Sequence, residues 1–323
     1  NNLLREENDM SVKSLLRLNR RFAPVSHPFN EEAAGGKTYG EWEFERGGTA
    51  LSCYAPKFQP EDILFGKDVL DVGCGEGGKS LYFLSLGAKS VTGIDIVPEY
   101  GKKSRALAEK LGLSDGFEYV CGDATNLPFD NGSFDVVMMN DFFEHVASPG
   151  KAISEAMRVL RPRGRLYINF PPYYHPYGAH LSDAISIPWV HMLYGEKTLI
   201  SAYEALTADK PDRDRRLSLK IKHGSDGEKH LGYINRMTLK KASEIISESG
   251  LKPVYKRFIP LRKWLYPASR LPLVREMLVK MAVYVFEKEA TVPSETENNT
   301  SSRNAALCNS GDIHSRNVSR LDV

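Results

Sequence analysis

The sequence predicts an α/β fold built on a mostly parallel sheet of seven strands with helices on both faces. Three observations carry that expectation. Between Glu61 and Phe170, short β-branched runs alternate with amphipathic stretches, the rhythm of strand–helix–strand units with right-handed crossovers. The first run, Asp68 to Val72, breaks into Gly73-Cys74-Gly75-Glu76-Gly77-Gly78 and then a helical stretch; glycines there let a backbone approach a ligand that any Cβ would push away. Asp71, Asp95 and Asp123 each fall at the carboxyl end of a run, the edge where open α/β sheets bind ligands.

The elements follow in order. Residues 1–30 are polar and basic, with a short amphipathic helix expected from Met10 to Arg20, and Gly35-Gly36 supplies a joint. Residues 1–60 therefore read as an amino-terminal helical or cap segment. Lys79 to Leu86 is the helix after the glycine turn, stopped by Gly87. Ser90 to Asp95 is the second strand, and Pro98 to Leu111 is a helix with proline in its first turn and Gly112 at its stop. Phe117 to Ala124 is the third strand and Ser133 to Asp141 the fourth. Pro149 to Leu160 places Ile153, Ala156, Met157 and Leu160 on one helical face, and Gly164 to Phe170 is the fifth strand.

Residues 171–235 interrupt the alternation. The stretch from Pro171 to Tyr194 is aromatic, proline-stiffened and rich in histidine, which marks it as a cover over the sheet's carboxyl edge. Thr207 to Lys229 is highly charged without apolar periodicity and reads as an exposed, mobile loop. Thr238 to Ser249 is a helix capped by Thr238 and stopped at Gly250. Leu251 to Ile259 and Met281 to Glu287 are the last two strands. The basic amphipathic connection at 260–280 is expected to pack on its own domain or on a second subunit, with peripheral contact with a membrane as the alternative. Residues 290–323, rich in Ser and Asn, are expected to be a disordered tail, and the main domain to run from 61 to 289.

The glycine turn also fits the G-x-G-x-x-G pattern of dinucleotide sites through Gly73, Gly75 and Gly78. Asp71, two positions before the first glycine, argues against a pyrophosphate, which a fixed carboxylate would repel. S-adenosylmethionine carries a sulfonium and an ammonium group and no phosphate, so an acid suits it. Each acid has a plainer reading, Asp71 as a turn cap and Asp95 as a strand end; their joint placement favours the cofactor.

Asp71-Val72-Gly73-Cys74-Gly75-Glu76-Gly77 resembles the first motif of class I S-adenosylmethionine-dependent methyltransferases, and the later strands fall where that family places them. The resemblance covers residues 61–170 and resumes near 238. It implies a Rossmann-like sheet whose seventh strand inserts antiparallel beside the sixth. It implies that Asp95 accepts from the ribose hydroxyls and Asp123 binds the adenine amino group. Asp71, Gly73, Cys74, Gly75, Ile96, Ala124 and Asn140 are expected to line the rest of the cofactor. Cys74 is better read there as a small packing residue than as a nucleophile. Small-molecule members often fold an amino-terminal segment over the cofactor, which makes Tyr39 and Trp42 candidates for that cover or, equally, for its anchor.

Methyl transfer needs an aligned acceptor and, where necessary, a base. His145, beside Glu144 after the fourth strand, has a suitable ordinary pKa, although this turn also has a structural reading in such folds. His175 and His180 in the insertion are rival bases, and Tyr173, Tyr174 and His191 join Tyr39 as candidate acceptor contacts. Asp141, Glu144 and His145 are metal-ligand types, but their spacing specifies no geometry and no metal is expected. Asn169-Phe170-Pro171-Pro172-Tyr173 is similar to the Asn-Pro-Pro-Tyr motif of enzymes that methylate bases or glutamine. It follows the fifth strand and carries an extra phenylalanine, which argues against that chemistry.

Bulk properties bound the partners. The chain has 323 residues, 41% hydrophobic and 26% charged, with a net charge of +2, so no basic field points to nucleic acid. No apolar run approaches a membrane span, and the polar stretch Asn1 to Asn8 gives no sign of a secretory leader. Four cysteines lack metal spacing, so a reducing cytoplasm is the simplest setting. The leading expectation is methyl transfer to a small aromatic, sugar or lipid-like acceptor by a monomer or homodimer. The rival readings are an RNA methyltransferase, a non-catalytic cofactor-binding regulator and, last, a nicotinamide oxidoreductase.

Overall fold

The computed structural model describes residues 2–55, 57–272 and 274–290. Four helices precede the sheet: α1 (Asn2–Asn19), α2 (Pro28–Ala33), α3 (Tyr39–Ser52) and α4 (Pro60–Leu64). The first begins upstream of the expected Met10. Thr38 starts α3 with a reciprocal cap, its hydroxyl accepting from the Glu41 amide while Glu41 accepts from the Thr38 amide.

The sheet domain then runs β1 (Asp68–Val72), α5 (Gly78–Ser85), β2 (Ser90–Asp95), α6 (Pro98–Leu111), β3 (Phe117–Cys121), β4 (Phe134–Asn140), α7 (Pro149–Val159) and β5 (Leu160–Phe170). Between β5 and the end of the sheet lie α8 (Val190–Leu193), α9 (Glu196–Leu206), α10 (Arg213–Lys220) and a small hairpin of β6 (Ile221–His223) and β7 (Lys229–Leu231). The closing elements are α11 (Leu239–Glu248), β8 (Tyr255–Pro260), α12 (Arg275–Leu278) and β9 (Val279–Glu287).

The seven strands of the main sheet lie in the order β3-β2-β1-β4-β5-β9-β8. The first five are parallel, and β9 is antiparallel to both of its neighbours. This is the seven-stranded Rossmann-like arrangement with an antiparallel last strand. The strand order reverses between β1 and β4, so the crevice at their carboxyl ends is the topological switch point.

Alternating residues give the sheet two buried faces. Leu70, Val72, Val137, Met139, Leu166 and Ile168 pack with Ala152, Ile153 and Ala156 of α7 and Ala242 and Ile246 of α11. Val69, Val91, Val136, Met138 and Tyr167 pack with Leu51, Ile63 and Phe83 on the other side. On that second side α3 crosses α5 closely. A Cβ on Gly78 would collide with the Gly40 carbonyl oxygen, and one on Gly47 with the Tyr82 ring.

A third apolar cluster lies in the cover. Leu15 of α1 is buried with Leu181, Ile185, Ile187, Leu199, Ile200 and Tyr203. The amino-terminal helix and the insertion after β5 therefore share one core, although 165 or more residues separate Asn19 from the Ala184 carbonyl and the Ser186 amide that it binds.

One expectation needs correction. The segment 207–229 is not an exposed loop: it contains α10 and β6, and Arg216 and Lys220 are buried. Its burial rests on ion pairs and hydrogen bonds, which leave no apolar period in the sequence. In the 260–280 connection, Trp264, Tyr266 and Leu271 stand exposed on the single chain, which agrees with the second-subunit and membrane fates and not with packing of these three side chains on the domain. The expectation for 290–323 concerns residues that, from 291 on, lie outside those described. Among the described residues no helix is long and apolar enough to cross a membrane.

Candidate active site

The glycine loop leaves β1 at the switch point. Gly73 and Gly75 have φ of 73° and 55°, and a Cβ on Gly73 would collide with the Phe142 ring. These positions exclude other residues by both conformation and space. At the end of β2, Asp95 Oδ2 accepts from the Gly75 amide at 3.0 Å and Oδ1 from the Val97 amide at 3.1 Å. Ile96 beside it is 70% exposed, an apolar plate next to a carboxylate. Asp123 is also exposed and accepts from the Thr125 amide at 2.8 Å.

The other expected cofactor residues point inward. Asp71 is buried and accepts from the Ser80 hydroxyl at 2.6 Å; burial pushes it up to about 6. It ties β1 to α5, close to the plainer cap reading. The Cys74 thiol is buried and stands where a Cβ on Gly93 would meet it, which makes it a packing residue; Ala124 is buried too. Asn140 is buried, accepting from the Tyr54 hydroxyl at 2.8 Å and from Asn169 Nδ2. Asp71, Cys74 and Ala124 can present backbone, but not free side chains, to a ligand, whereas Asn140 Nδ2 has no hydrogen-bond partner among the described residues.

Two residues that sequence reasoning gave no role stand above the loop. Lys79 Nζ lies 2.9 Å from Asp141 Oδ2 and 3.3 Å from Glu43 Oε1. Burial works against the Lys79 charge, but Asp141 and Glu43 more than offset it and hold its pKa up. Burial pushes Glu43 up to about 7 against the pull of Lys79. The Gly40-x-x-Glu43-x-x-x-Gly47 spacing on α3 was the available signal, a helical stripe of small residues with one acid in it. Tyr39 begins the same helix, with its ring 3.8 Å from where a Gly75 Cβ would stand. Trp42 stacks on Tyr39 and carries the Arg46 guanidinium at 4.6 Å, the position of an anchor.

The exit of β4 meets the insertion at a cluster of imidazoles. Asp141 and His180 both have left-handed backbone, φ 52° and 54°, a costly conformation that clusters at functional sites. The rings of His145 and His180 are 4.9 Å apart, and the Tyr233 ring lies 4.4 Å from His145. His145 Nδ1 donates to the Tyr233 carbonyl at 2.8 Å, so in the neutral ring Nε2 holds the free lone pair. Burial pushes His145 down to about 4 and His180 well down. Glu144 is 2% exposed, and neither carboxylate oxygen has a hydrogen-bond partner among the described residues. Its nearest basic atom is His145 Nε2 at 3.8 Å, and burial drives its pKa well up.

The remaining expected residues form an aromatic group in the insertion. Tyr173 packs on Tyr174 and His191, with ring centroids 5.4 and 4.8 Å apart. Both His191 ring nitrogens are buried without a hydrogen-bond partner among the described residues. His175 Nδ1 accepts from the Tyr177 amide at 3.2 Å, and burial pushes this ring down to about 4.

Ion pairs fasten the cover to the loop. Arg215 of α10 reaches Glu32 of α2 at 2.8 Å and Glu76 of the glycine loop at 3.2 Å. Its neighbour Arg216 is fully buried, paired with Asp183 and Asp212 at 2.9 Å each. Lys220 donates to the His180 carbonyl and sits 4.3 Å from the Tyr233 ring centroid; burial pushes it down to about 8. Apart from the Asp212–Arg216 pair, four residues apart, these charges carried no local signal, because their partners Glu32, Glu76, Asp183 and the His180 carbonyl are distant in sequence.

Residues 70–168 match the family described as Methyltransferase domain. Among curated relatives, tocopherol O-methyltransferase of Arabidopsis thaliana is 36% identical over 102 residues, 32% of this chain and 29% of that protein. Norajmaline N-methyltransferase of Rauvolfia serpentina is 35% identical over 102 residues, 32% of this chain and 35% of that protein. The phthiotriol/phenolphthiotriol dimycocerosates methyltransferase of Mycobacterium leprae is 42% identical over 104 residues, 32% of this chain and 37% of that protein. The chain thus spans about a third of the length of the relatives it matches. The matched residues run from β1 into β5 and hold the glycine loop and Asp95.

Proposed function

We propose that the protein transfers a methyl group from S-adenosylmethionine to a small acceptor bearing an aromatic, sugar or lipid-like body. The observation that carries this reading is that the glycine loop is joined to Asp95 at the end of β2 and packs against Phe142 at the exit of β4, three residues before His145. The residues fit the cofactor. The loop leaves no room for a Cβ at Gly73, Asp95 offers a carboxylate for a ribose diol, and Ile96 offers an apolar plate for a base. Bound there, S-adenosylmethionine supplies a carbon already activated for in-line displacement.

This chain's residues then have three tasks. The cover of α1, α2, α10 and the 171–194 stretch excludes water. Tyr39, Tyr173, Tyr174 and His191 supply aromatic surface for the acceptor. Glu144, His145 and His180 face the acceptor's attacking atom; burial favours the neutral form of both imidazoles, which leaves each a ring-nitrogen lone pair for the chemistry there. The relatives' names mention norajmaline, tocopherol and phthiotriol/phenolphthiotriol dimycocerosates, which supports an acceptor that is not a macromolecule. The free thiols of Cys53, Cys74 and Cys121 support a reducing, cytoplasmic setting.

Calorimetry with S-adenosylhomocysteine, followed by labelled-methyl transfer onto a panel of phenols, amines, sugars and prenyl lipids, tests the reading. Micromolar cofactor binding and turnover of one acceptor class are expected. Binding of NAD in its place overturns it, and cofactor binding with no turnover on any class leaves only a binding protein.

A further inference from the structure

We propose that Glu144, His145 and His180 form a binding site for one divalent transition-metal ion of the zinc type, facing the acceptor. One ligand atom from each residue lies within 4.8 Å of the other two, a separation that small rotamer changes close around a cation. Three further features point the same way. Glu144 is 2% exposed and has no hydrogen-bond partner for either oxygen among the described residues; a buried acceptor without a donor is costly unless something positive reaches it. His145 has the second-shell arrangement of a metal ligand, Nδ1–H donating to the Tyr233 carbonyl at 2.8 Å while Nε2 faces Glu144 at 3.8 Å. His180 is held in left-handed backbone, and its carbonyl accepts from Lys220, so its ring is aimed by fixed surroundings.

The donor set chooses the ion. Two neutral imidazoles and one carboxylate suit zinc, or cobalt as its probe, and disfavour magnesium and calcium, which take oxygen ligands. Asp141 is outside the set because its carboxylate is engaged by Lys79. Three protein ligands leave an open position. There an acceptor hydroxyl would coordinate through oxygen and give up its proton to bulk solvent as it enters; the anionic oxygen would then attack the methyl carbon, the methyl C–S bond would break, and S-adenosylhomocysteine would leave as the neutral thioether. This role rests on the methyl-transfer reading; ion binding itself does not.

The test uses tag-free full-length protein stripped with chelator and dialysed. Zinc titration by calorimetry should give one equivalent with a rise in Tm, and cobalt should give intense visible ligand-field bands. Glu144→Gln, nearly isosteric, and His180→Ala should each weaken zinc binding at least tenfold and bleach the cobalt bands. Circular dichroism and S-adenosylhomocysteine binding report whether each variant is folded; if one fails, the other decides. Wild-type protein that takes up no zinc, or folded variants that bind it as the wild type does, overturn the proposal. If zinc binds without S-adenosylhomocysteine, the ion site stands and the methyl-transfer reading falls; cofactor binding without zinc gives the reverse.

Discussion

The Asp95 carboxylate and the Gly75 amide are joined at 3.0 Å, which fixes the end of β2 to the loop that leaves β1. The contact holds the carboxylate at the crevice, where a ribose diol can compete for it. Asp95→Ala is therefore expected to weaken S-adenosylmethionine binding about 100-fold. The basis is the loss of charge-assisted hydrogen bonds of about 1.5–3 kcal/mol each. Calorimetry on the folded variant measures this, and wild-type affinity would remove Asp95 from the cofactor site.

Gly78 lets α3 lie against α5, with Gly40 beneath it. Gly78→Ala forces the helices apart and is expected to cost about 1–3 kcal/mol of stability. Because Tyr39 and Glu43 ride on α3, cofactor affinity should fall with it. Urea midpoints and calorimetry on the same variant read both effects.

Arg216 and Asp183 are both fully buried, 2.9 Å apart. Arg216→Met leaves the buried Asp183 charge with only Lys220 at 4.0 Å and the Tyr203 hydroxyl at 2.6 Å to compensate it, and should destabilise by about 3 kcal/mol. Adding Asp183→Asn should recover part of that loss. Chemical denaturation of the single and double variants gives the coupling, and additive losses would show that the pair is not what holds α10.

His175 should make the protein acid-sensitive. Burial lowers its pKa from 6.5 to about 4. Between those values the unfolded chain takes up a proton that the native state refuses, so stability falls as the pH drops from 6.5 to 4. Above 6.5 the residue makes no such contribution. His175→Asn keeps an acceptor for the Tyr177 amide and should reduce the acid loss by up to about 3 kcal/mol. Urea midpoints at pH 7 and pH 4.5 provide the comparison.

The sheet domain was legible because its signals are local. Gly73 to Gly78 announce the loop, Pro98 and Gly112 bracket α6, and Thr238 caps α11. The cover was not, because its core is assembled from the amino-terminal helix and an insertion more than 160 residues later. Leu15 meets Leu199, and Arg216 meets Asn30 and Asp183. A buried arginine has the same letter as a solvated one, and α10 therefore read as a loop. Lys79 and Glu43 escaped for the same reason, since their pairing exists only where α3 crosses α5. Glu144 and His145 were visible as neighbours, but His180, 35 positions later, joins them only through the path of the insertion.

Because β9 lies between β5 and β8, ribosomal synthesis produces the two flanking strands before the one that bridges them. The β5 edge stays unpaired until residues 279–287 have emerged, and β8 has no partner in the meantime. A nascent or proteolytically shortened chain lacking that bridge presents an open edge to its neighbours, the template on which strands of separate molecules associate. Translation arrest or clipping before Glu287 should therefore yield aggregates rather than a smaller folded enzyme.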